Sequence, residues 1–331
     1  MADQGREGRM RLTLLGGFLG SGKTTWLRHQ LHAGVFPDAC VVVNEAADTP
    51  VDDALLSRAS TIEVLAGGCA CCEARGELVA LLRRLCDLRS RTASDSARLE
   101  HVVLETSGLA DPAEVLDAIR SDPVLVHHVF VSETVVCVDA LHGLVQLVEE
   151  PLGRRQAEAA NRLVITKLDE APSASIGKLV ATLRSINPDA VIEGAVKGTP
   201  VAAPTAAGED AVSLPQLDGS AAGPIFPTRL SLDDQIDWTA FGVWLSALLH
   251  ARGNDVMRVK GVVRTSAGRL LLQSVRKVVQ SPEILPPQDA RDDDTIVVIG
   301  RGYWEEDLRR SLERFAGVKQ REQGSIFEGV S

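Results

Sequence analysis

Gly17-Phe18-Leu19-Gly20-Ser21-Gly22-Lys23-Thr24 fits the pattern G-x-x-x-x-G-K-[ST] at every position. It lies between an apolar strand-like run, Arg11–Leu15, and a helical stretch, Thr24–His32, which is where the physics of such a loop requires it. Gly17, Gly20, Ser21 and Gly22 let the backbone curl so that its N–H groups face a β-phosphate. The helix behind them adds the positive end of its dipole. Lys23 is then placed to reach the β- and γ-phosphates, and Thr24 to ligate Mg²⁺.

Outward from this loop, the first two hundred residues alternate β-branched runs with helical segments. Strands are predicted at Arg11–Leu15, Cys40–Val43, Thr61–Leu65, His101–Glu105, Thr134–Asp139 and Arg162–Thr166. Helices are predicted at Thr24–His32, Glu77–Leu88, Ala113–Arg120 and Ile176–Ile186. Such alternation predicts an α/β fold, a mostly parallel sheet with helices on both faces and phosphate ligands at the carboxyl ends of its strands. Between 199 and 224 the composition shifts to Ala, Gly, Pro and small polar residues, which predicts a linker or long exposed loop. The expected division is therefore a domain at 1–198, a linker at 199–224 and a smaller α+β domain at 225–331. In the latter, Ile236–His250 reads as a helix with Trp238, Phe241, Leu245, Leu248 and Leu249 on one stripe. Arg258–Val263, Leu270–Val275 and Thr295–Ile299 read as strands, Glu305–Phe315 as a closing helix, and Asp292–Asp294 as a solvated loop.

The chain has 331 residues, 45% of them hydrophobic and 24% charged, in the ordinary range for a globular protein. A formal net charge of -10, with acidic residues spread along the chain, argues against a nucleic-acid partner or an anionic membrane surface. Residues 1–9 are polar and no stretch approaches the ~20 apolar residues that span a bilayer. A cytoplasmic location is expected.

Two further strand ends carry candidate nucleotide contacts. Glu105, opening Glu105-Thr106-Ser107-Gly108-Leu109-Ala110-Asp111-Pro112, is placed to hold Mg²⁺ through water, and Gly108 to present its N–H to a γ-phosphate. Thr166-Lys167-Leu168-Asp169 supplies base choice, because a carboxylate accepts two hydrogen bonds from guanine N1 and N2 that adenine cannot donate. The common form of this motif has Asn where Thr166 stands. GTP is favoured over ATP.

Six cysteines stand at 40, 69, 71, 72, 86 and 137. Cys40, Cys86 and Cys137 sit in apolar or amphipathic runs and read as small buried side chains. Cys69, Cys71 and Cys72 follow a strand and two glycines and precede a helix, whose dipole favours thiolate. Thiolate is the form that binds Zn²⁺, Cu(I) or Co²⁺, and C-x-C-C supplies two or three sulfurs with a coordination position left open. Buried thiols in a tight turn, or a redox pair, are the other readings. His127-His128 lacks metal-site spacing and reads as surface or satisfied core.

Taken together, these motifs resemble the CobW family of metallochaperone-like GTPases. The resemblance rests on the Gly17–Thr25 loop, Gly68–Cys72 as a G-C-x-C-C metal motif, Glu105–Pro112, and Thr166–Asp169. Arg258-Val259-Lys260-Gly261 and Ile299-Gly300-Arg301-Gly302 look like the family's C-terminal domain. It implies a SIMIBI-type GTPase domain, Thr25 among the nucleotide contacts, and Lys23 and Glu105 as the catalytic pair. It also brings Glu45 and Asp48 into the metal chemistry beside the three cysteines. Where the family usually reads N-E-F-G-E, this chain has Asn44-Glu45-Ala46-Ala47-Asp48, so the acidic positions survive and the Phe and Gly do not. The implied cofactors are GTP, Mg²⁺ and Zn²⁺ or Co²⁺. The implied partners are a client metalloprotein and, in a homodimer, a second copy of the chain. Weak intrinsic hydrolysis is expected, since no arginine finger is identifiable. An activator or scaffold of one metalloenzyme, using GTP only as a switch, is the alternative.

Overall fold

The computed structural model describes residues 8–45, 61–66, 72–91, 99–215, 226–232, 237–253, 255–265, 268–275, 277–279, 282–285 and 294–316; at 44–45, 61–66, 72–74, 273, 275, 278, 283 and 316 this covers backbone alone. The chain divides into two compact units, one from Gly8 to Ser220 and one from Ala221 to Ser331.

The first unit runs β1 (Met10–Gly17), α1 (Lys23–His32), β2 (Cys40–Glu45), β3 (Thr61–Ala66), α2 (Cys72–Arg91) and β4 (His101–Glu105). It continues through α3 (Pro112–Ser121), α4 (Leu125–His128), β5 (Val129–Asp139), α5 (Gly143–Glu149) and α6 (Pro151–Ala159). It closes with β6 (Arg162–Thr166), α7 (Ser173–Ile186), β7 (Val191–Val196) and β8 (Thr199–Val201). Its sheet has the order β3-β2-β4-β1-β5-β6-β7-β8, parallel throughout except for β8 on β7. β1 lies between β4 and β5, so crossovers leave to both sides of it. That makes the end of β1 a switch point, where open parallel sheets bind ligands.

Period-two alternation sorts each strand between two cores. Val135, Cys137 and Val164 pack with Trp26, Leu27 and Leu31 of α1. Val136, Val138, Leu163 and Ile165 pack with Leu147 of α5, Ala157 of α6 and Leu179 and Leu183 of α7. Both faces are covered, and this is why the strands read as continuous apolar runs. α2 presents Leu78, Leu81, Leu82 and Leu85 inward at helical spacing. Cys40, Cys86 and Cys137 are buried, and burial pushes the thiols of Cys86 and Cys137 up to about 11 and about 12. His127 and His128 are exposed at the end of α4.

The stretch with linker-like composition continues the first unit as far as the described residues reach. β8 pairs with β7, Val212 N donates to Thr182 Oγ1 at 3.0 Å, and Arg154 holds the carbonyl of Pro215. Small residues suit this path because it lies close against α7, where a Cβ on Gly177 would come within 2.7 Å of the Ala206 carbonyl.

The second unit is a mostly antiparallel sheet covered by helices. It contains β9 (Phe226–Ser231), α8 (Trp238–Arg252), β10 (Val256–Thr265), β11 (Gly268–Val275), β12 (Val278–Val279), β13 (Glu283–Leu285), β14 (Thr295–Gly300) and α9 (Glu305–Ala316). The main strand order is β12-β11-β10-β14-β9, with β13 pairing β11. Phe241, Trp244, Leu245 and Leu249 of α8 pack with Leu308 and Leu312 of α9 over Val259, Ile296 and Val298. Trp244 Nε1 donates to Ser311 Oγ at 2.8 Å, satisfying a buried indole. The helix starts at Trp238, the first residue of its apolar stripe and later than the expected Ile236, because Asp237 caps it by accepting from Thr239 N at 2.8 Å and Ala240 N at 3.3 Å. The acidic run is also corrected at its last residue. Asp294 is buried, accepting from Arg264 N at 2.9 Å and Arg264 Nε at 2.6 Å; Asp292 and Asp293 lie outside the described residues. An acidic side chain enters a core when a guanidinium and a backbone donor meet it there.

Candidate functional site

The loop that follows β1 turns sharply into α1. Gly17 has φ 136°, and a Cβ there would lie 2.4 Å from the Cys137 carbonyl oxygen and 2.7 Å from Ser21 Oγ. Only glycine fits that turn. Gly20 and Gly22 also take positive φ, and Gly22 stands at the N-cap of α1 without a capping side chain. The first N–H groups of α1 therefore remain available to an anion. Ser21 is buried and its Oγ has no hydrogen-bond partner, as expected of a hydroxyl placed for a ligand.

Lys23 Nζ donates to the carbonyls of Gly17 at 2.9 Å and Phe18 at 3.0 Å, which holds the ammonium at the start of the loop. Burial lowers its pKa from the usual lysine value, against the opposing charge of Glu105. Thr24 Oγ1 donates to Glu105 Oε1 at 2.5 Å, bringing the β4 end to the first turn of α1. Hydroxyl and carboxylate are hard oxygen donors, a set that suits Mg²⁺. Thr25 is exposed on α1, with its carbonyl beside Gly198 of the β7–β8 turn.

After β4, Gly108 passes so close to the phosphate loop that a Cβ would lie 2.6 Å from Leu19 N and 2.8 Å from Leu19 Cα. Asp111 caps α3 by accepting from Ala113 N at 3.0 Å. On the other side, Thr166 Oγ1 donates to the Ser21 carbonyl at 2.8 Å, tying the β6 end to the phosphate loop. Lys167 takes the left-handed φ of 55°, and its Nζ meets Asp139 Oδ2 at 2.7 Å. Asp139 is buried at the end of β5 and also accepts from Leu141 N at 2.7 Å. Asp169 is exposed, two residues beyond this anchored turn.

The fold thus gathers Gly17, Gly20, Ser21, Gly22, Lys23, Thr24, Glu105, Gly108 and Thr166 at the carboxyl ends of β1, β4 and β6. Asp48, Cys69 and Cys71 lie outside the described residues, as do the side chains of Glu45 and Cys72. The backbone register does pair Glu45, the last residue of β2, with Ala66, the last of β3. Cys72 is the first residue of α2. Sequence reasoning missed Asp139, whose signal is an acidic residue closing a buried apolar strand. It also missed Gln156 on α6.

A glycine loop at the switch point, an ammonium at its start and a carboxylate touching the first-turn hydroxyl define a P-loop nucleotide-binding protein. Residues 11–193 match the nucleotide-binding domain of CobW/HypB/UreG, and residues 228–316 match the cobalamin synthesis protein cobW C-terminal domain. The chain belongs to the CobW/HypB/UreG family. The zinc chaperone YjiA of Escherichia coli is 30% identical over 326 residues, 93% of this chain and 98% of that protein. The zinc-regulated GTPase metalloprotein activator 1 of Schizosaccharomyces pombe is 26% identical over 184 residues, 53% of this chain and 43% of that protein. Among solved structures, Zn(II)-bound YjiA GTPase from E. coli shares the fold with a TM-score of 0.55 at 22% identity, covering 93% of this chain and 99% of that one. No helix among the described residues is long and apolar enough to cross a membrane.

Proposed function

We propose that this chain is a GTP-hydrolysing metallochaperone, coupling GTP binding and hydrolysis to the uptake of a transition metal, zinc foremost, and its delivery to a client metalloprotein. The observation that carries the nucleotide half is the 2.5 Å contact between Thr24 and Glu105 beside the Lys23 ammonium. In this reading the N–H groups of Gly20, Gly22 and Thr25 donate to phosphate oxygens, and Lys23 spans the β- and γ-phosphates. Thr24 and Glu105 would hold Mg²⁺, which neutralises charge on the β- and γ-phosphate oxygens. Gly108 offers its N–H to the γ-phosphate, and Asp169 reads guanine. Lys167 and Thr166 fix the turn that presents it.

The metal half is supported by the names of the relatives and by the register of Glu45 with Ala66, because the chain proceeds from Ala66 into the cysteine segment. Cys69, Cys71 and Cys72 are assigned as thiolate ligands, with Glu45 and Asp48 as the acidic partners. Ordering of the segment after β2 by Mg²⁺–GTP would then act on the metal. The alternative, a client activator in which GTP serves only as a switch, draws on the name of the S. pombe relative. It requires hydrolysis to rise only when the client is added.

The direct test is hydrolysis by Lys23→Ala. The variant should remain folded and lose GTP hydrolysis and most GTP binding, since the ammonium serves phosphates and not the core. Wild-type rates in that variant would overturn the assignment.

A further inference from the structure

α6 places a polar side chain where an apolar one would be expected. Gln156 is buried, 1% exposed, on a helix that also packs Ala157 into the core. Its side-chain amide points at the loop after β4. Nε2 donates to the carbonyl of Gly108 at 3.2 Å and to the carbonyl of Ala110 at 2.9 Å. A primary amide has two N–H groups, and both are used on one loop. The neighbouring Arg155 reinforces the attachment, with Nε donating to Asp111 Oδ2 at 2.7 Å. α6 is itself immobilised at its far end. The buried Asn187 amide donates to the carbonyls of Ala157 at 2.8 Å, Glu158 at 3.2 Å and Ala160 at 2.9 Å.

The loop is tied at its start to β1, where Thr106 N and Oγ1 donate to the Leu15 carbonyl at 2.9 Å and 3.1 Å, and at its end by the Asp111 cap on α3. Within it, Ala110 N donates to the Ser107 carbonyl at 3.0 Å and Leu109 N to Ser107 Oγ at 3.4 Å. Gly108 meanwhile must stay against Leu19 of the phosphate loop, at a separation that excludes any Cβ. Peptide groups are planar, so fixing the carbonyl of Gly108 from outside sets the plane on its carboxyl side. Gly108 therefore sits between two rigid bodies, the phosphate loop and α6.

On the GTPase reading above, we propose that Gln156 is a positioning residue for γ-phosphate recognition, holding the Gly108 loop against the phosphate loop from the α6 side. It touches neither nucleotide nor metal and acts through Gly108. Its loss should affect ligands in proportion to their contact with Gly108. A nucleoside triphosphate makes that contact and a diphosphate does not.

Gln156→Met keeps the volume and removes both donors. In the full-length chain, affinity for β,γ-imido GTP and kcat for GTP should each fall about tenfold, the scale of the one lost bond that bears on Gly108. GDP affinity should stay within about twofold. A general packing defect would instead weaken GDP and the analogue alike, and that result overturns the proposal, as does a variant indistinguishable from wild type. If Gln156→Met binds no GDP and shows no cooperative unfolding, Gln156→Asn is measured against the same criteria; it keeps the amide on a stem one methylene shorter. A wild-type chain that neither binds the analogue nor hydrolyses GTP would remove the GTPase reading and this inference with it. Selective loss in the variant with an active wild type separates the two.

Discussion

Replacing Thr166 with Val tests how this site manages without the more usual Asn. The two side chains have nearly the same shape, so the change removes one hydroxyl and little packing. That hydroxyl donates to the buried Ser21 carbonyl at 2.8 Å, with the Val138 carbonyl a second, longer acceptor at 3.3 Å. One proton can serve only the nearer acceptor fully, so one good hydrogen bond is lost and the Ser21 carbonyl is left short of a donor. A buried carbonyl in that state costs about 1–3 kcal/mol. The peptide also carries the Gly22 N–H, which points opposite to the Ser21 carbonyl, so loosening one loosens the other. The expected result is a loss of about 1–2 kcal/mol in denaturant unfolding of the nucleotide-free chain, with unchanged slope. GDP affinity should fall as well, by up to roughly 5–30-fold where the bound loop depends on this bond by a further 1–2 kcal/mol. Thr166→Ser keeps the hydroxyl and should retain most of both quantities. Wild-type stability and GDP affinity in Thr166→Val would refute the idea that β6 organises the phosphate loop through this bond.

Base choice and pH offer two further checks. Asp169→Asn should weaken GTP and relax discrimination against xanthine nucleotides, because an amide can donate to the xanthine 2-oxo group; a competition assay showing ATP preferred by the unmodified chain would defeat the guanine assignment. Burial holds the Lys23 pKa below the usual lysine value, while bound phosphates would stabilise its charged form and raise it. GTP affinity should therefore be full below the pKa of the nucleotide-free chain. It should fall as pH rises through that value, by about tenfold per unit at most. Lys23→Arg, which stays charged, should lose this part of the dependence, and an identical pH profile in both proteins would contradict it.

The phosphate loop was legible because its chemistry demands fixed residue types at fixed spacing. Gly17, Lys23 and Thr24 fall where that spacing puts them, and the flanking strand and helix follow from apolar periodicity. What escaped was structure built from polar residues. α6 reads Pro-Leu-Gly-Arg-Arg-Gln-Ala-Glu-Ala, yet Arg154, Gln156 and Glu158 are all buried. Arg154 and Gln156 meet the backbone carbonyls of Pro215, Gly108 and Ala110, distant in sequence, which no local pattern reveals. β7 was hidden by Gly194, whose missing side chain admits Leu168 within 2.6 Å of its Cβ position. β9 was hidden by Pro227, tolerated because β9 lies at the sheet edge. Asp294 was misplaced because a run of charges looks solvated until Arg264, thirty residues earlier in the chain, is known to meet it.

The central claim is that nucleotide state and cysteine-bound metal share one free-energy balance, and zinc titration of the full chain tests it most directly. Affinity is measured nucleotide-free, with Mg²⁺–GDP, and with Mg²⁺ and β,γ-imido GTP, and Cys71→Ser/Cys72→Ser serves as the site control. About one equivalent should bind, more tightly at higher pH because each thiol must lose its proton, and the control should abolish it. The triphosphate state should bind zinc more tightly by about 5–150-fold, equivalent to ~1–3 kcal/mol of coupling, and zinc must raise analogue affinity by the same factor. Equal zinc affinity in all three states would contradict the account, even with both sites present.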